Sequence, residues 1–310
     1  MDAIISIIMP AYNAAEHLDF SIQSVLNQTF TEWELIIVND GSTDETAQII
    51  NNWAEKEARI RVFHQKNAGV SAARNLALAR SCGKYVTMLD ADDALIPTAL
   101  ERLIEQTANN DDVDMVTAGF CEIYKNTGKI DHRGGLLMGR KDQGIFPVKN
   151  AFVAEYMHCG VCSKLYKSDI IKRAELQYQE DIGIGEDHLF ALQYLQHCRT
   201  AAVLQDELYH YIHWSDSAIS RFDEGALSDQ CYIHAVTLYS TRISPPNKQW
   251  AAALLSHFLR VRTWVKRVIT THRPHDWQTI RKSIDAHLPV MLYKAGLLNS
   301  LRMIRRHLYS

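Results

Sequence analysis

Short apolar runs alternate with amphipathic stretches through the first 120 residues of the chain. "IISIIM" (4–9) is an apolar run ended by Pro10 and the loop "PAYN", and Leu18, Ile22, Val25 and Leu26 then fall on one helical face. "WELIIVND" (33–40) predicts a second buried strand, stopped by Asp40-Gly41. Ser42 and Glu45 stand at capping-box spacing before the helix "DETAQIINNWAEKEA". "IRVFH" (60–64) is a third strand, "VSAARNLALARSC" (70–82) a third helix and "KYVTML" (84–89) a fourth strand. Strands alternating with helices predict an α/β fold with a mostly parallel, doubly wound sheet flanked by helices. Ligands of such sheets sit at the carboxyl ends of the strands. The polar residues follow that rule: Tyr12 and Asn13 after the first strand, Asp40 after the second, Asn67 after the third, Asp90 to Asp93 after the fourth.

The rhythm weakens over residues 121–185, where "HRGGLLMGRKDQG" (132–144) reads as a mobile loop. A helix begins near Asp187, and from residue 224 the chain reads as helical to its end, broken by "SPPN" at 244–247, Pro274 and Pro289. The expected division is therefore an α/β unit over 1–223, with halves meeting near 120, and a helical region over 224–310.

Composition changes this picture in two places. Hydrophobic residues make up 47% and charged residues 22%, ordinary for a soluble enzyme, and no apolar run reaches the roughly 18 residues of a spanning helix. The start "MDAIISIIMP" has an acid and no basic leader, so it reads as a strand and the expectation is a cytoplasmic chain with reduced cysteines. The net charge of −3 is unevenly spread: residues 250–310 carry 11 Lys/Arg against Asp276 and Asp285, which leaves −12 on the rest. An acidic body gives no reason to expect a nucleic-acid partner, whereas the basic end suits an anionic surface. Leu297, Leu298, Leu301, Ile304 and Leu308 form a stripe with Arg302, Arg305 and Arg306 largely beside it. That helix can lie on the inner membrane surface or pack on the α/β unit.

"YVTMLDADD" places Asp90, Asp92 and Asp93 directly after a buried run, where their mutual repulsion calls for a cation. A divalent metal bridging to a diphosphate meets that need. The alternative is that Asp92 or Asp93 caps a helix over "ALIPTALERL" (94–103). Asp40 can likewise bond a base or ribose, or only end a turn. "NAGVSAARN" offers a helix N-terminus with Arg74, a site for an anion or a nucleotide edge.

Taken in order, "SIIMPAYNAAEHLDFSIQSVLNQTFTEWELIIVNDGSTDET", "NAGVSAARNLALA" and "YVTMLDADD" resemble the nucleotide-binding half of a family-2 glycosyltransferase with the GT-A fold. "VCSKLYKSDII" and "GIGEDHLF" resemble later segments, so the likeness runs from residue 4 to about 220. The resemblance implies that Pro10, Ala11 and Tyr12 line the base of a UDP-sugar, with Tyr12 stacked on uracil, and that Asn13, Glu16 and Asn67 belong to the same site. Asp40 would bond the base edge, Arg74 lie near the uridine, and Asp90 and Ala91 border the ribose. Asp92 would hold Mn2+ or Mg2+, with His213 either a second candidate ligand or a packed or exposed histidine; Asp187 would be the catalytic base, with Glu186 beside it.

The chemistry is coherent. Inverting transfer needs one base for the acceptor hydroxyl and charge neutralisation for the leaving diphosphate, which a metal supplies. A glycosidase would need two carboxyl groups flanking the bond. No QxxRW follows Asp187, so one sugar per encounter is expected rather than processive synthesis, with a glycan or lipid-linked acceptor in a bacterial surface polysaccharide such as lipopolysaccharide or capsule. Two other classes stay open. A nucleotidylyltransferase would usually start with a Gly-rich phosphate loop, which "PAYNAAEHL" lacks, and a non-catalytic nucleotide-sugar sensor would not need Glu186-Asp187. Cys159 and Cys162 form a CxxC with no second pair at zinc spacing, and Lys164 suits a phosphate, an acceptor or an internal ion pair.

Overall fold

The structure is a computed structural model that describes residues 3–108, 112–133, 143–149, 163–181 and 185–214. Its first part runs β1 (Ile5–Ala11), α1 (Leu18–Leu26), β2 (Trp33–Asp40), α2 (Thr46–Lys56), β3 (Ile60–Gln65), α3 (Val70–Arg80) and β4 (Tyr85–Met88). These strands lie side by side as β3-β2-β1-β4, all parallel. β1 and β2 are buried along their whole length, as their mostly apolar runs require when helices cover both faces. Leu18, Ile22 and Val25 of α1 pack into the same core as Ile5, Ile7, Met9, Leu35 and Ile37. Each such side chain contributes roughly 1.5–3 kcal/mol of transfer free energy. The expected α/β fold is present, with the site edge at the carboxyl ends of four parallel strands.

The opposite edge of the sheet is fastened by a buried carboxylate. Glu34 of β2 accepts hydrogen bonds from Ser6 Oγ at 2.6 Å, the Cys82 amide at 2.7 Å and Arg61 Nη1 at 2.6 Å. Burial works against its charge, yet those donors hold the carboxyl below its ordinary range.

The second part is mixed rather than parallel. It contains β5 (Ala94–Leu95), α4 (Ala99–Ala108), β6 (Met115–Tyr124), β7 (Lys129–Arg133), β8 (Gly144–Pro147), β9 (Lys164–Lys167), α5 (Ser168–Arg173), α6 (Glu186–Leu195) and β10 (Thr200–His213). The sheet continues β4-β9-β6-β10-β5; β9 is antiparallel to both β4 and β6, whereas β6 and β10 are parallel. Among its described residues, the stretch that reads as irregular thus supplies the end of β6 and the strands β7, β8 and β9, and His132 and Arg133 of the expected loop belong to β7 while Gly144 opens β8.

Two further expectations are corrected. No helix starts at Ala94: Ala94 and Leu95 pair with β10, and the helix begins at Ala99. Pro97 disfavours the helical region for Ile96, which keeps the preceding residues extended. The Ser42–Glu45 capping box does not form, because Ser42 Oγ accepts from the Asn13 amide and Asp44 Oδ1 takes the Thr46 amide instead. The CxxC at 159–162 and the helical region from 224 onward lie outside the described residues. Among the described residues no helix is long and apolar enough to cross a membrane.

Candidate functional site

The loops after β1, β2 and β3 are tied to one another mainly by backbone amides that donate to side-chain oxygens. Asn13, at φ 48°, donates its amide to Ser42 Oγ at 3.0 Å, and its Oδ1 accepts from the Thr43 amide at 2.8 Å. Asn is among the few residues that take the left-handed region without large cost. Ala14 and Ala15 donate to Thr46 Oγ1 and Asp44 Oδ2. Gly41 then approaches the next loop so closely that a Cβ would lie 2.6 Å from the Asn67 amide nitrogen, and its φ of +69° also favours glycine. Asp40, 3% exposed, closes the set: Oδ1 accepts from Gln65 Nε2 at 2.7 Å and from the Ala68 amide at 2.8 Å, while Oδ2 accepts from the Gly69 amide at 2.8 Å. Three acceptor directions of Asp40 thus hold the β3–α3 loop, a task the sequence does not reveal. Pro10 and Ala11 are buried at the end of β1, whereas Tyr12 (53% exposed), Glu16 and Asn67 are exposed at the same edge.

After β4 the three aspartates separate. Asp90 is half-buried and pairs with Arg74 Nη2 at 2.8 Å. Asp93 turns inward to 1% exposure, where its Oδ2 accepts from the Tyr209 hydroxyl at 2.7 Å and its Oδ1 from the Ile212 amide at 2.8 Å. Burial, with the charges of Asp92 and Asp90, drives the Asp93 carboxyl well above its ordinary range. Asp93 therefore pins β10 to the end of β4 and caps no helix. Asp92, between them, is half-buried, and its backbone carbonyl accepts from Trp214 Nε1 at 2.9 Å. The Ala91 carbonyl accepts from Ser21 Oγ at 2.8 Å. His213 lies flat on Tyr124, with centroids 4.2 Å apart, and edge-on to Tyr211. Among the described residues no group of three or more His, Cys, Asp or Glu side chains is arranged to hold a metal ion.

Arg74 is the cation that the acidic turn calls for. Its guanidinium reaches Asp90 with Nη2 and Glu186 with Nη1, the latter at 2.7 Å, although 112 residues separate Arg74 from Glu186. Glu186 and Asp187 open α6 after Gly185, which takes a left-handed φ of 85°. Burial and the neighbouring charge of Asp187 push the Glu186 carboxyl up to about 7, against the pull of Arg74. Burial acts on Asp187 in the same direction, but His188, Arg74 and Lys164 and the His188 amide hold it below its ordinary range. That amide donates to Asp187 Oδ1 at 2.7 Å. An ionised carboxylate and one that titrates near neutrality thus sit on consecutive residues, facing the acidic end of β4.

Arg74, Asp90 and Glu186 are therefore in direct contact, with Asp187 alongside. Asn13 and Asp40 frame the neighbouring loops, and Asp92 joins the end of β10 through Trp214. Sequence reasoning missed Tyr209 and Trp214 as supports of the acidic turn. Trp214 also stacks on His17, centroids 3.8 Å apart.

Comparison with known proteins gives the family. Residues 6–169 match the family model described as glycosyl transferase family 2. An uncharacterised glycosyltransferase of Bacillus subtilis, EpsJ, is 34% identical over 218 residues, 68% of this chain and 61% of that one. TuaG of the same organism, a putative teichuronic acid biosynthesis glycosyltransferase, is 41% identical over 103 residues, 33% of this chain and 41% of that one. The matched stretches thus span less than two-thirds of either relative. Among solved structures, S. aureus TarS 1–349 in complex with UDP-GlcNAc superposes with a TM-score of 0.62 at 20% identity, covering 96% of this chain and 92% of that one. With the family model spanning β1 through the start of α5, and the loops it covers forming the polar edge described above, this chain belongs to glycosyl transferase family 2.

Proposed function

We propose that the protein is an inverting glycosyltransferase that moves one sugar from a UDP-sugar to a hydroxyl of a glycan or lipid-linked acceptor during assembly of a bacterial surface polysaccharide. One juxtaposition carries the reading: the acidic end of β4 and the Glu186-Asp187 turn meet at Arg74. The first suits a nucleoside diphosphate, the second the hydroxyl that attacks. The UDP-GlcNAc bound to TarS supports a nucleotide-sugar donor, and the name of TuaG supports a cell-surface product.

The chain's own residues divide the work as follows. Tyr12 offers an exposed ring to the base, and Asp40 retains one acceptor direction for a base N–H beyond the three it uses internally. Asp90 shares one oxygen with Arg74 and presents the other to the ribose hydroxyls. Asp187 takes the proton of the acceptor hydroxyl as its oxygen attacks the anomeric carbon. Its depressed proton affinity keeps it charged at neutral pH, so the proton moves late, once the forming bond has made the hydroxyl acidic. Attack opposite the departing diphosphate inverts the anomeric carbon.

A divalent metal fits the acidic turn by its donor chemistry. Asp92 provides hard carboxylate oxygens, half-exposed on a loop whose carbonyl is fixed by Trp214, and His213 precedes that tryptophan. Asp92 would hold Mn2+ or Mg2+, with His213 the second candidate, and the bound ion would neutralise charge on the leaving diphosphate.

Release of UDP tests the reading. The protein, with manganese, is offered UDP-glucose, UDP-galactose, UDP-N-acetylglucosamine and UDP-N-acetylgalactosamine in turn. One donor should yield UDP above the protein-free rate. No release from any of the four, together with no calorimetric binding of UDP, would contradict it.

A further inference from the structure

Arg74 does more than balance charge. It is 3% exposed on α3, and its two terminal nitrogens reach carboxylates from distant parts of the chain, Asp90 at the end of β4 and Glu186 at the start of α6. Its guanidinium carbon lies 5.3 Å from the centroid of the Tyr178 ring. The next residue, Asn75, clasps the backbone of that tyrosine from both sides: Nδ2 donates to the Tyr178 carbonyl at 2.9 Å, and Oδ1 accepts from the Tyr178 amide at 2.8 Å. Tyr178 in turn stacks face to face on Phe190 of α6, with centroids 4.3 Å apart. Two consecutive residues of α3 thus fasten the end of β4, the segment around Tyr178 and the first turn of α6. That turn has no side-chain cap, since Gly185 occupies the N-cap position. Its attachment at Glu186 is to Arg74.

We propose that Arg74 is a positioning residue for the base: by bridging Asp90 and Glu186 it fixes the first turn of α6 against the nucleotide edge and presents Asp187 to the acceptor, rather than contacting the nucleotide itself. The proposal rests on Asp187 being the base. Among the described residues, the charged groups that bear on Asp187 include His188 on its own helix, Arg74 from α3, Lys164 from β9 and the acid Glu186. The phenols Tyr166 and Tyr178 also face it. Taking Arg74 away leaves Asp90, Glu186 and Asp187 without the buried cation they share, and a buried carboxylate that loses its counter-charge takes up protons more readily.

Arg74→Met keeps bulk and removes the charge; Arg74→Lys keeps the charge and loses the two-pronged bridge. The titration midpoint of Asp187 is read by carboxyl 13C NMR, with the resonance assigned through Asp187→Asn, and UDP affinity by calorimetry with manganese. The midpoint should rise by about one pH unit or more in Arg74→Met and much less in Arg74→Lys, with UDP affinity within roughly fivefold of wild type. An unmoved midpoint in Arg74→Met would overturn the proposal, and a tenfold or greater loss of UDP affinity beside it would return Arg74 to the nucleotide. If Arg74→Met does not fold, Arg74→Gln decides, since its amide can still donate to a carboxylate while the charge is gone: the Asp187 midpoint should rise as in Arg74→Met, and no change counts against the bridge. The assignment of the base is tested separately, since full turnover by Asp187→Asn removes the base without touching the Arg74 geometry.

Discussion

Asp90, Asp92 and Asp93 carry the same side chain within four positions, and the fold gives each a different task. Asp90 pairs with Arg74, Asp93 is buried beneath Tyr209 and the Ile212 amide, and Asp92 stays half-exposed between them. The cluster and its place at a strand end are legible in "YVTMLDADD", because both depend on local pattern. The inward turn of Asp93 is not, because its partners lie 116 and 119 residues later. The same holds for Asp40, whose place after β2 is plain but whose grip on the Ala68 and Gly69 amides needs the folded loop. The division of labour makes Asp92 the informative substitution. Asp92→Asn keeps the backbone carbonyl that accepts from Trp214 Nε1. Manganese-dependent UDP affinity should fall about tenfold or more, a loss of about 1.4 kcal/mol, measured by calorimetry with and without the metal. Wild-type affinity in that variant would remove Asp92 from the metal site.

Elements made by short-range pattern agree with expectation, and those made by distant pairing depart from it. α1, α2 and α3 and the strands between them follow from apolar runs and helical faces. The two-residue strand β5 escapes that reading because its pairing partners, Tyr209 and His210, lie more than a hundred residues away. β10 escapes it as well: register shifts between Val203 and Tyr209 break the alternation of period two that would mark a strand. The loops between elements carry equal weight, and Gly41 allows a direct measurement. Gly41 and Gly128 share a φ of +69°, but a Cβ at Gly41 would strike the Asn67 backbone, whereas at Gly128 nothing lies within 4 Å. Alanine at either position incurs the same backbone strain, so their difference isolates the clash. Gly41→Ala should lose about 1 kcal/mol or more of stability beyond Gly128→Ala in urea unfolding, and should also weaken UDP binding. Equal losses would show that the loops after β2 and β3 can part freely.

At the scale of the molecule, two kinds of sheet meet at β4. On one side four parallel strands joined by helices collect polar loops at one edge; on the other, β9 enters antiparallel between β4 and β6. The first half was legible because each crossover is local, the second less so because β9 and β10 find their neighbours across long separations. The proposed catalytic arrangement spans the junction. Arg74 and Asp90 come from the parallel half, Glu186 and Asp187 from α6. The basic, helical character expected beyond residue 224 lies outside the described residues, so the tail's place at a membrane or on the domain is a matter of sequence pattern alone. If sugar transfer runs across this junction with Asp187 as its base, turnover of Asp187→Asn beside wild type reports it. Asparagine keeps the shape and cannot accept the proton, so UDP release from the preferred donor should fall by roughly 10²–10⁴-fold while UDP affinity barely moves. Release at the wild-type rate would exclude Asp187 as the base.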